Sequence, residues 1–336
     1  MRLTFTAVGE AMPDEKWRSL FRKLWPAYRR WWRSEGANKR PSLRECRAAL
    51  IQHMPELMPV YERLCGLAGN SDQASRFLSL YLPPAYMAGC SQAVWSGGMP
   101  LLVRNYDYHP RAVDALLLHT EWLGRKVLGM SDCLIGLLDG INEDGLAVSL
   151  TFGGQRAVGA GFGIPIILRY VLETCSDVDE AADVLQRVPS HMAYNVTVLD
   201  KTQRHRTVLI HPGRPALVTH SPVATNQQRQ PGFTHQAGTL VSAEREAFLL
   251  RKLTRDPGTA DDFIGAFMQP PLYAVDVERG FSTLYTAAYR PRDGILELHW
   301  PDLNWPHSID SFEEGSRTVE YPQKAIIDDP MRADFR

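Results

Sequence analysis

The sequence predicts an α+β protein in which two layers of helices enclose a pair of β-sheets. Three observations lead to this fold class. Apolar residues recur at helical spacing in residues 1–89, strand-like patterns begin after Pro83-Pro84, and pairs of helices then interrupt the strands twice. Helices and sheets must each bury an apolar side, so this order of elements favours a layered sandwich. The 336 residues can hold one large domain with an appendage, or two domains.

Residues 1–89 are predicted to be an all-helical block. The apolar spacing places its helices at residues 13–32, 43–67 (interrupted at Pro55 and Pro59) and 72–82. Pro26 should kink the first helix, whereas Ser42 caps the second, with Glu45 at the capping-box position. One face of the first helix is aromatic and the other is basic. Such a helix could lie on an anionic membrane, but a packed helix with a solvated basic face is the favoured interpretation.

The remaining elements follow from the same periodicities. Strands are predicted at residues 91–96, 101–106, 116–119, 133–138, 146–152, 195–200, 206–211, 283–289 and 295–300. Helices are predicted at residues 164–174, 178–187, 242–253 and 260–268. Asp177 should cap the second of these helices, with Glu180 at its capping-box position. Residues 305–336 are interpreted as a tail that wraps around the domain.

Composition excludes several function classes. The formal net charge of −1 argues against a nucleic-acid partner, and no apolar run approaches the roughly 18 residues of a membrane span. Residues 1–11 lack the basic start and apolar core of a signal peptide. The five cysteines are scattered and odd in number, which favours reduced thiols and a cytoplasmic protein. No Cys/His cluster has metal-binding spacing and no phosphate loop is present, so neither a metal nor a cofactor is expected.

The stretch from Gly89 to Asp107 is the centre of the functional prediction. Gly97-Gly98 is interpreted as a two-residue turn between two strands, because glycine adopts the positive φ that such turns need. A symmetric turn would place Cys90 opposite Asn105, with Asp107 on the same sheet face. Arg104 would then lie on the other face and would need a β-bulge to approach Cys90.

Cys90 needs a base before it can act as a nucleophile. No histidine lies near Cys90 in the sequence before His109, although a histidine distant in sequence could serve as the base. Another solution is to cut the chain between Gly89 and Cys90, so that the new α-amino group, with a pKa of roughly 7.7–8.0, becomes the base. Gly89 tolerates the strained backbone that self-cleavage requires. The alternative is a structural cysteine buried at the start of a strand.

Four ordered motifs carry a resemblance to a known family. They are Gly89-Cys90-Ser91 with Arg104-Asn105-Tyr106-Asp107, then residues 139–146 (DGINEDGL), Ala224-Thr225-Asn226 and Ser242-Ala243-Glu244-Arg245. Together they resemble the N-terminal-nucleophile (Ntn) hydrolases of the choloylglycine hydrolase and penicillin V acylase group, especially the acyl-CoA:6-aminopenicillanic acid acyltransferase branch. The resemblance implies a four-layer αββα sandwich. It also implies a helical propeptide, residues 1–89, that stays associated as an α chain with a catalytic β chain, residues 90–336.

The same resemblance implies roles for individual residues. Cys90 is the nucleophile, Asp107 binds the nucleophile and its amine, and Arg104 is the guanidinium beside the thiolate. The remaining candidates are Asn142 and Asn226 for the oxyanion, Arg245 beneath the site, and Tyr106 and Asn195 as lesser members. Each has a structural alternative: Arg104 and Asp107 as an ordinary ion pair, Asn142 as a turn former, and Arg245 as an exposed salt-bridging residue.

These observations favour a self-processing amidohydrolase or N-acyltransferase. Cys90 would attack a linear amide or an acyl thioester, and its small-molecule partner would be an acyl amide or an acyl-CoA-like donor. Two other hypotheses remain open: an uncleaved, non-catalytic protein that binds a ligand through the loop at residues 153–163, and a conventional Cys-His hydrolase. No nucleic-acid or membrane partner is expected, and a homo-oligomer is possible.

Overall fold

A computed structural model describes residues 1–36, 39–86, 89–228, 239–276 and 281–321. The strands in chain order are β1 Arg2–Gly9, β2 Gly89–Trp95, β3 Leu101–Tyr108, β4 Leu116–Thr120, β5 Val127–Asp132, β6 Gly136–Asn142, β7 Leu146–Phe152, β8 Tyr194–Asp200, β9 His205–His211, β10 Arg214–Thr219, β11 Val223–Ala224, β12 Val275–Asp276, β13 Phe281–Arg290, β14 Ile295–Trp300, β15 Leu303–Ser308 and β16 Gly315–Glu320. The helices are α1 Glu15–Trp32, α2 Leu43–His53, α3 Met58–Leu67, α4 Asp72–Leu78, α5 Ile164–Thr174, α6 Val178–Arg187, α7 Thr239–Arg255 and α8 Ala260–Phe267.

The strands form two sheets. Sheet I has nine strands in the order β10-β9-β8-β7-β6-β5-β4-β1-β16. Sheet II has seven strands in the order β11-β2-β3-β13-β14-β15, with β12 paired to β13. Sheet I is antiparallel except where β1 and β4 pair in parallel. Most strands pair with their neighbours in sequence, because short turns connect antiparallel strands directly.

The two sheets pack face to face and are covered by helices on their outer sides. One core lies between the sheets and contains Phe5, Leu128, Tyr285 and Leu298. A second lies between sheet I and α5, α6 and the N-terminal helices. A third lies between sheet II and α7 and α8. These three cores separate four layers, so the predicted α+β, αββα sandwich is confirmed.

The N-terminal block contains a strand as well as helices, so the all-helical prediction for residues 1–89 is wrong. Residues 2–9 form β1, which pairs with β4 and with β16. The side chains of Phe5 and Ala7 are buried from this strand, two residues apart, as the period of a half-buried strand requires. Its partners are more than 100 residues away in sequence, and local helical spacing cannot reveal them.

The N-terminal helices largely follow the prediction. Helix α1 is continuous through Pro26, and α2 begins at the predicted Ser42–Glu45 capping box. The predicted second helix is divided at residues 54–57 into α2, a 3-10 turn and α3. Proline lacks the N–H that a helix interior needs, which explains an interruption beginning at Pro55. No helix in the part of the chain that the model describes has the length and apolarity to cross a bilayer.

Later elements show two kinds of difference. Residues 133–138 are not one strand: residues 133–135 form a turn, in which Cys133 and Leu134 have φ angles of 57° and 66°, and β6 follows. The segment predicted to be a wrapping tail, residues 305–336, contains most of β15 and all of β16. Residues 322–336 of this segment lie outside the described residues. In contrast, β7, α5, α6 and β14 have the predicted bounds. Asp177 caps α6, whereas the Glu180 side chain bonds Ser176 instead of closing a capping box.

Candidate active site

The register of β2 against β3 decides which side chains share a face. Trp95 pairs with Leu101, so the connection has five residues and not the predicted two. Cys90 therefore lies opposite Tyr106 instead of Asn105, and Gly89 lies opposite Asp107. A shift of one residue exchanges the two faces of a strand. Arg104 consequently shares the face of Cys90 without a bulge, and Asp107 points to the other side of sheet II, so both predicted orientations are wrong.

Cys90 is fully buried between the two sheets. The Nη2 atom of Arg104 donates to the Cys90 Sγ at 3.3 Å. The backbone N–H of Cys90 donates to the Oδ1 of Asn226 at 2.9 Å. Burial raises the pKa of the Cys90 thiol, Arg104 opposes this shift, and Asp107 adds to it. In the uncleaved chain the thiol is thus held mainly protonated and out of contact with solvent.

A buried network holds Arg104 beside the thiol. The Nη1 atom of Arg104 forms a fully buried ion pair with Asp139 and donates to the Leu138 carbonyl at 3.2 Å. Asp139 also accepts hydrogen bonds from Tyr285 at 2.8 Å and from Tyr289. Burial, followed by the charge of Asp139, raises the pKa of both phenols, so both remain donors. The guanidinium is therefore fixed from the side opposite the sulfur.

The supporting roles of Asp139, Tyr285 and Tyr289 were not predicted from the sequence. Asp139 lies within one of the quoted motifs, which was the available signal. Tyr285 and Tyr289 are four residues apart on β13, so they share a face, and β13 pairs with β3. That pairing was not visible in the sequence, because about 180 residues separate the two strands.

A second ion pair lies on the other side of sheet II. Arg245, from α7, donates from Nη1 to the Asp107 Oδ2 at 2.8 Å, and Thr283 donates to the Asp107 Oδ1 at 2.7 Å. Asp107 is fully buried and Arg245 is 5% exposed. The alternatives of an Arg104–Asp107 pair and an exposed Arg245 are therefore wrong. Because Asp107 lies opposite Gly89, this pair sits beside the predicted cleavage site.

Asn142, which was predicted to contribute to an oxyanion hole, makes hydrogen bonds that serve the fold. Its Nδ2 donates to the carbonyls of Leu172 and Cys175, at 3.0 and 2.8 Å, and its Oδ1 accepts from the Leu146 N–H at 3.0 Å. The side chain thus ties the β6–β7 turn to the end of α5, as a buried version of the turn-forming alternative. Its amide hydrogens are committed away from Cys90.

The remaining candidates divide between the site and its support. Tyr106 lies opposite Cys90, with its ring 4.9 Å from the guanidinium carbon of Arg104. The Nδ2 of Asn195 bonds Thr151 and the carbonyls of Thr225 and Gln227, which fixes the segment that carries Asn226. Among the described residues no histidine is hydrogen-bonded to the thiol of Cys90, and His235 lies outside them. The site thus combines a thiol, a guanidinium and an amide oxygen at the thiol-bearing residue's own nitrogen.

A family model described as acyl-coenzyme A:6-aminopenicillanic acid acyl-transferase matches residues 95–305, more than half of the chain. No protein in the search of curated sequences matches.

Several solved structures are similar. A mutant conjugated bile acid hydrolase from Clostridium perfringens is 16% identical, covering 73% of this chain and 100% of that one, with a TM-score of 0.47. Penicillin V acylase from Agrobacterium tumefaciens is 14% identical, covering 68% and 90%, with a TM-score of 0.43. A Caenorhabditis elegans N-acylethanolamine-hydrolyzing acid amidase ortholog is 15% identical, covering 69% and 100%, with a TM-score of 0.46.

Proposed function

Because the chain belongs to the acyl-coenzyme A:6-aminopenicillanic acid acyl-transferase family, and so to the Ntn enzymes that hydrolyse amides or transfer acyl groups, we propose that it activates itself. The bond between Gly89 and Cys90 is cut, which leaves residues 1–89 as an α chain and residues 90–336 as a β chain. Cys90 then acts as an N-terminal nucleophile on a small-molecule acyl amide or acyl thioester.

Self-cleavage proceeds through the thiol of Cys90. The Sγ atom attacks the Gly89 carbonyl carbon, the C–N bond breaks, and the thiol proton ends on the released Cys90 nitrogen. Water then hydrolyses the resulting thioester to give the Gly89 carboxylate and the free thiol. Two contacts support this step: Asn226 already accepts from the Cys90 nitrogen at 2.9 Å, and the buried Asp107 lies opposite Gly89.

Turnover uses the amine that cleavage releases. This amine takes the thiol proton, and the thiolate attacks the substrate carbonyl to form an acyl-Cys90 intermediate. Arg104 stabilises the thiolate, because an adjacent cation lowers a thiol pKa. The Asn226 Oδ1 positions the amine. Its Nδ2 donates one N–H to the Phe152 carbonyl at 3.3 Å and directs its second N–H toward the oxyanion. Asp107 and Arg245 hold the start of β2. An amine acceptor completes acyl transfer, whereas water completes hydrolysis.

One observation carries the proposal above all others. The residue at the start of β2 has its sulfur bound by Arg104 and its nitrogen bound by Asn226, from two different parts of the chain. A cysteine that only fills a core needs neither partner. The same arrangement leaves the thiol buried with a raised pKa in the uncleaved chain, as a nucleophile awaiting activation would be.

Intact-mass spectrometry of the purified protein tests the proposal. The wild type should give two fragments that correspond to residues 1–89 and 90–336, whereas Cys90→Ala should give one full-length mass. Cys175→Ala is the matched control, since Cys175 is also a buried free cysteine, and it should be cut like the wild type. A full-length mass for the wild type, or fragments from Cys90→Ala, contradicts self-cleavage at this thiol.

The same samples separate the other two hypotheses. A non-catalytic binding protein stays uncut, and a conventional Cys-His hydrolase stays uncut but loses activity when one histidine is replaced. For the processed enzyme, a panel of acyl amides and acyl thioesters should leave an acyl mass on the β chain alone. That adduct would identify the acyl donor.

A further inference from the structure

A cavity of about 270 Å³ lies between α1 and the catalytic sheets. Its walls are mainly aromatic and apolar, and come from α1, from the segment before the cleavage site and from the loop after β3. These wall residues are Leu24, Trp31, Tyr86, Tyr108 and Val113. The volume is slightly below the range of about 300–1,000 Å³ for drug-sized ligands, so the cavity suits a smaller molecule.

Two carboxyl groups, Asp114 and Asp132, line one side of this cavity. The hydroxyl of Tyr28 lies 2.7 Å from the Asp114 Oδ1 and 3.1 Å from the Asp132 Oδ1, and it accepts the Cys133 N–H at 2.8 Å. A hydroxyl has a single proton, so it can serve only one carboxylate fully. The hydroxyl oxygen can still bond the second carboxyl group if that group carries a proton and donates it to the Tyr28 oxygen.

Within the residues that the structure describes, these carboxyls have no cationic partner. The Oδ2 of Asp114 is shielded from solvent and makes no hydrogen bond there. The Arg104 charge acts on Asp132, but its guanidinium is already bound to Asp139 and Cys90. Arg111 lies exposed at the cavity wall. Charges shielded from solvent are normally paired with an opposite charge. Asp114 and Asp132 therefore lack the cation that such carboxylates ordinarily bind.

The cavity begins close to Cys90. Tyr106 lies opposite Cys90 in the β2–β3 ladder, and its ring centroid is 5.6 Å from that of Tyr108, which lines the cavity. Tyr106 and Tyr108 share the face of β3 that also carries Arg104. The cavity wall at Tyr108 is therefore two residues along β3 from the partner of Cys90, on the same sheet face.

We propose that this cavity is a binding site for the ammonium group of a small organic amine with an apolar or aromatic body. The ammonium pairs with Asp114 and Asp132, and the body packs between Trp31, Tyr86 and Tyr108. Aromatic faces attract cations as well as apolar groups, so the walls suit both parts of such a ligand. The site's use as a substrate subsite rests on the proposed function, whereas amine binding itself does not.

Binding should strengthen as pH rises through neutrality. Burial, followed by mutual repulsion, raises the pKa of Asp114, and burial likewise raises that of Asp132. The ligand's ammonium ion competes with the proton that Asp114 and Asp132 share. Binding is therefore stronger at a pH at which the pair has already lost that proton. The other titratable or charged groups around the pair are Tyr28, Tyr86, Tyr106, Tyr108, Tyr194, Cys133, Arg104 and Arg111. The tyrosines and the cysteine have a raised pKa and stay neutral in this range. Burial is outweighed by the charges of Cys90 and Asp139, which raise the pKa of Arg104, so its guanidinium stays charged.

The experiment is calorimetric titration of full-length Cys90→Ala, which can neither cleave itself nor turn over. The probe is 2-phenylethylamine, and 2-phenylethanol is its uncharged counterpart. We expect the amine to bind at least tenfold more tightly than the alcohol at pH 8, with the advantage reduced at pH 5. Asp114→Asn should weaken amine binding at least tenfold, and the exposed Asp310→Asn should leave it unchanged.

Equal affinity for amine and alcohol, or full amine binding by Asp114→Asn, would overturn the proposal. If Asp114→Asn does not fold, Asp132→Asn takes its place and should weaken amine binding in the same way. The comparison of 2-phenylethylamine with 2-phenylethanol on Cys90→Ala tests the proposal without any change in the cavity. Failure of self-cleavage leaves this result standing, because the titrated protein is uncleaved. Failure of amine binding leaves the mass-spectrometric test of cleavage equally intact.

Discussion

At the scale of single residues, the position of Arg104 favours the charged form of the buried Cys90 thiol, which is the proposed nucleophile. Burial raises the pKa of Cys90, and the guanidinium 3.3 Å from its sulfur is the main group that lowers it. Arg104 can do this only because Asp139 compensates its charge and fixes its direction. A guanidinium offers several donors in a rigid plane, so it can bond a carboxylate and a sulfur at once.

Arg104→Lys tests this arrangement. A lysine ammonium is a point charge and cannot span Asp139 and the sulfur together, so the pKa of Cys90 should rise. We expect kcat/KM of the processed enzyme to fall about tenfold or more near neutral pH, since each pKa unit corresponds to about 1.36 kcal/mol. Its pH profile should shift to higher pH. Arg290→Lys, at the end of β13, is the control, and an unshifted profile for Arg104→Lys would exclude the role.

At the scale of elements, α1 is attached to the catalytic sheets by polar as well as apolar contacts. Tyr28 reaches Asp114 and Asp132, and the indole N–H of Trp17 donates to the Leu134 carbonyl at 2.8 Å. Both contacts meet the segment around the turn at residues 132–134. The helix that would belong to the α chain is therefore docked on the β chain beside the candidate site.

The docking of α1 should weaken as pH rises. Burial raises the pKa of Asp114 to about 8 and that of Asp132 to about 6, above an unfolded value of about 3.9. A raised carboxyl pKa contributes stability that is complete below pH 4 and is lost as pH rises through 6 to 8. Urea unfolding of the uncleaved Cys90→Ala protein should thus show a larger loss between pH 5 and pH 8 than the same protein with Asp114→Asn. Equal losses would show that the pair does not titrate in this way.

At the scale of the whole molecule, β1 makes the proposed α chain an integral part of sheet I. It lies between β4 and β16, so the strand that begins the chain joins two strands of the proposed β chain. Phe5 from β1 is fully buried in the core between the sheets, against Tyr285 and Trp300. Separation of the two chains would open a sheet and a core together.

The two chains should remain together after processing. We expect the fragments to elute as one species in size-exclusion chromatography and to separate only in denaturant.

Phe5→Ala should lower the free energy of unfolding by about 3–5 kcal/mol, as large-to-small changes in a packed core do. Leu217→Ala is the control, since Leu217 is 46% exposed on the edge strand β10, and it should change stability little. Free α chain in native buffer would contradict an integral β1.

Much of the fold followed from patterns that neighbouring residues create. Strand β7 and helices α5 and α6 have the predicted bounds because their apolar periodicities are regular and turn or capping residues flank them. Edge strands such as β10 and β16 were missed, because their side chains are mostly exposed and show little alternation. Strand β1 was missed for a different reason, since both of its partners are distant in sequence.

The sequence by itself determined the four-layer class and the family motifs, and it led to Cys90 as the proposed nucleophile, because each depends on residue types within short stretches. Only the tertiary structure decided that Arg104 pairs with Asp139, that Asp107 pairs with Arg245, and that the Asn142 amide bonds the end of α5. A five-residue connection between β2 and β3 shifted the register by one, which exchanged the faces of Arg104 and Asp107. Which distant side chains meet depends on register and on strand order, and neither is encoded in the spacing of one segment.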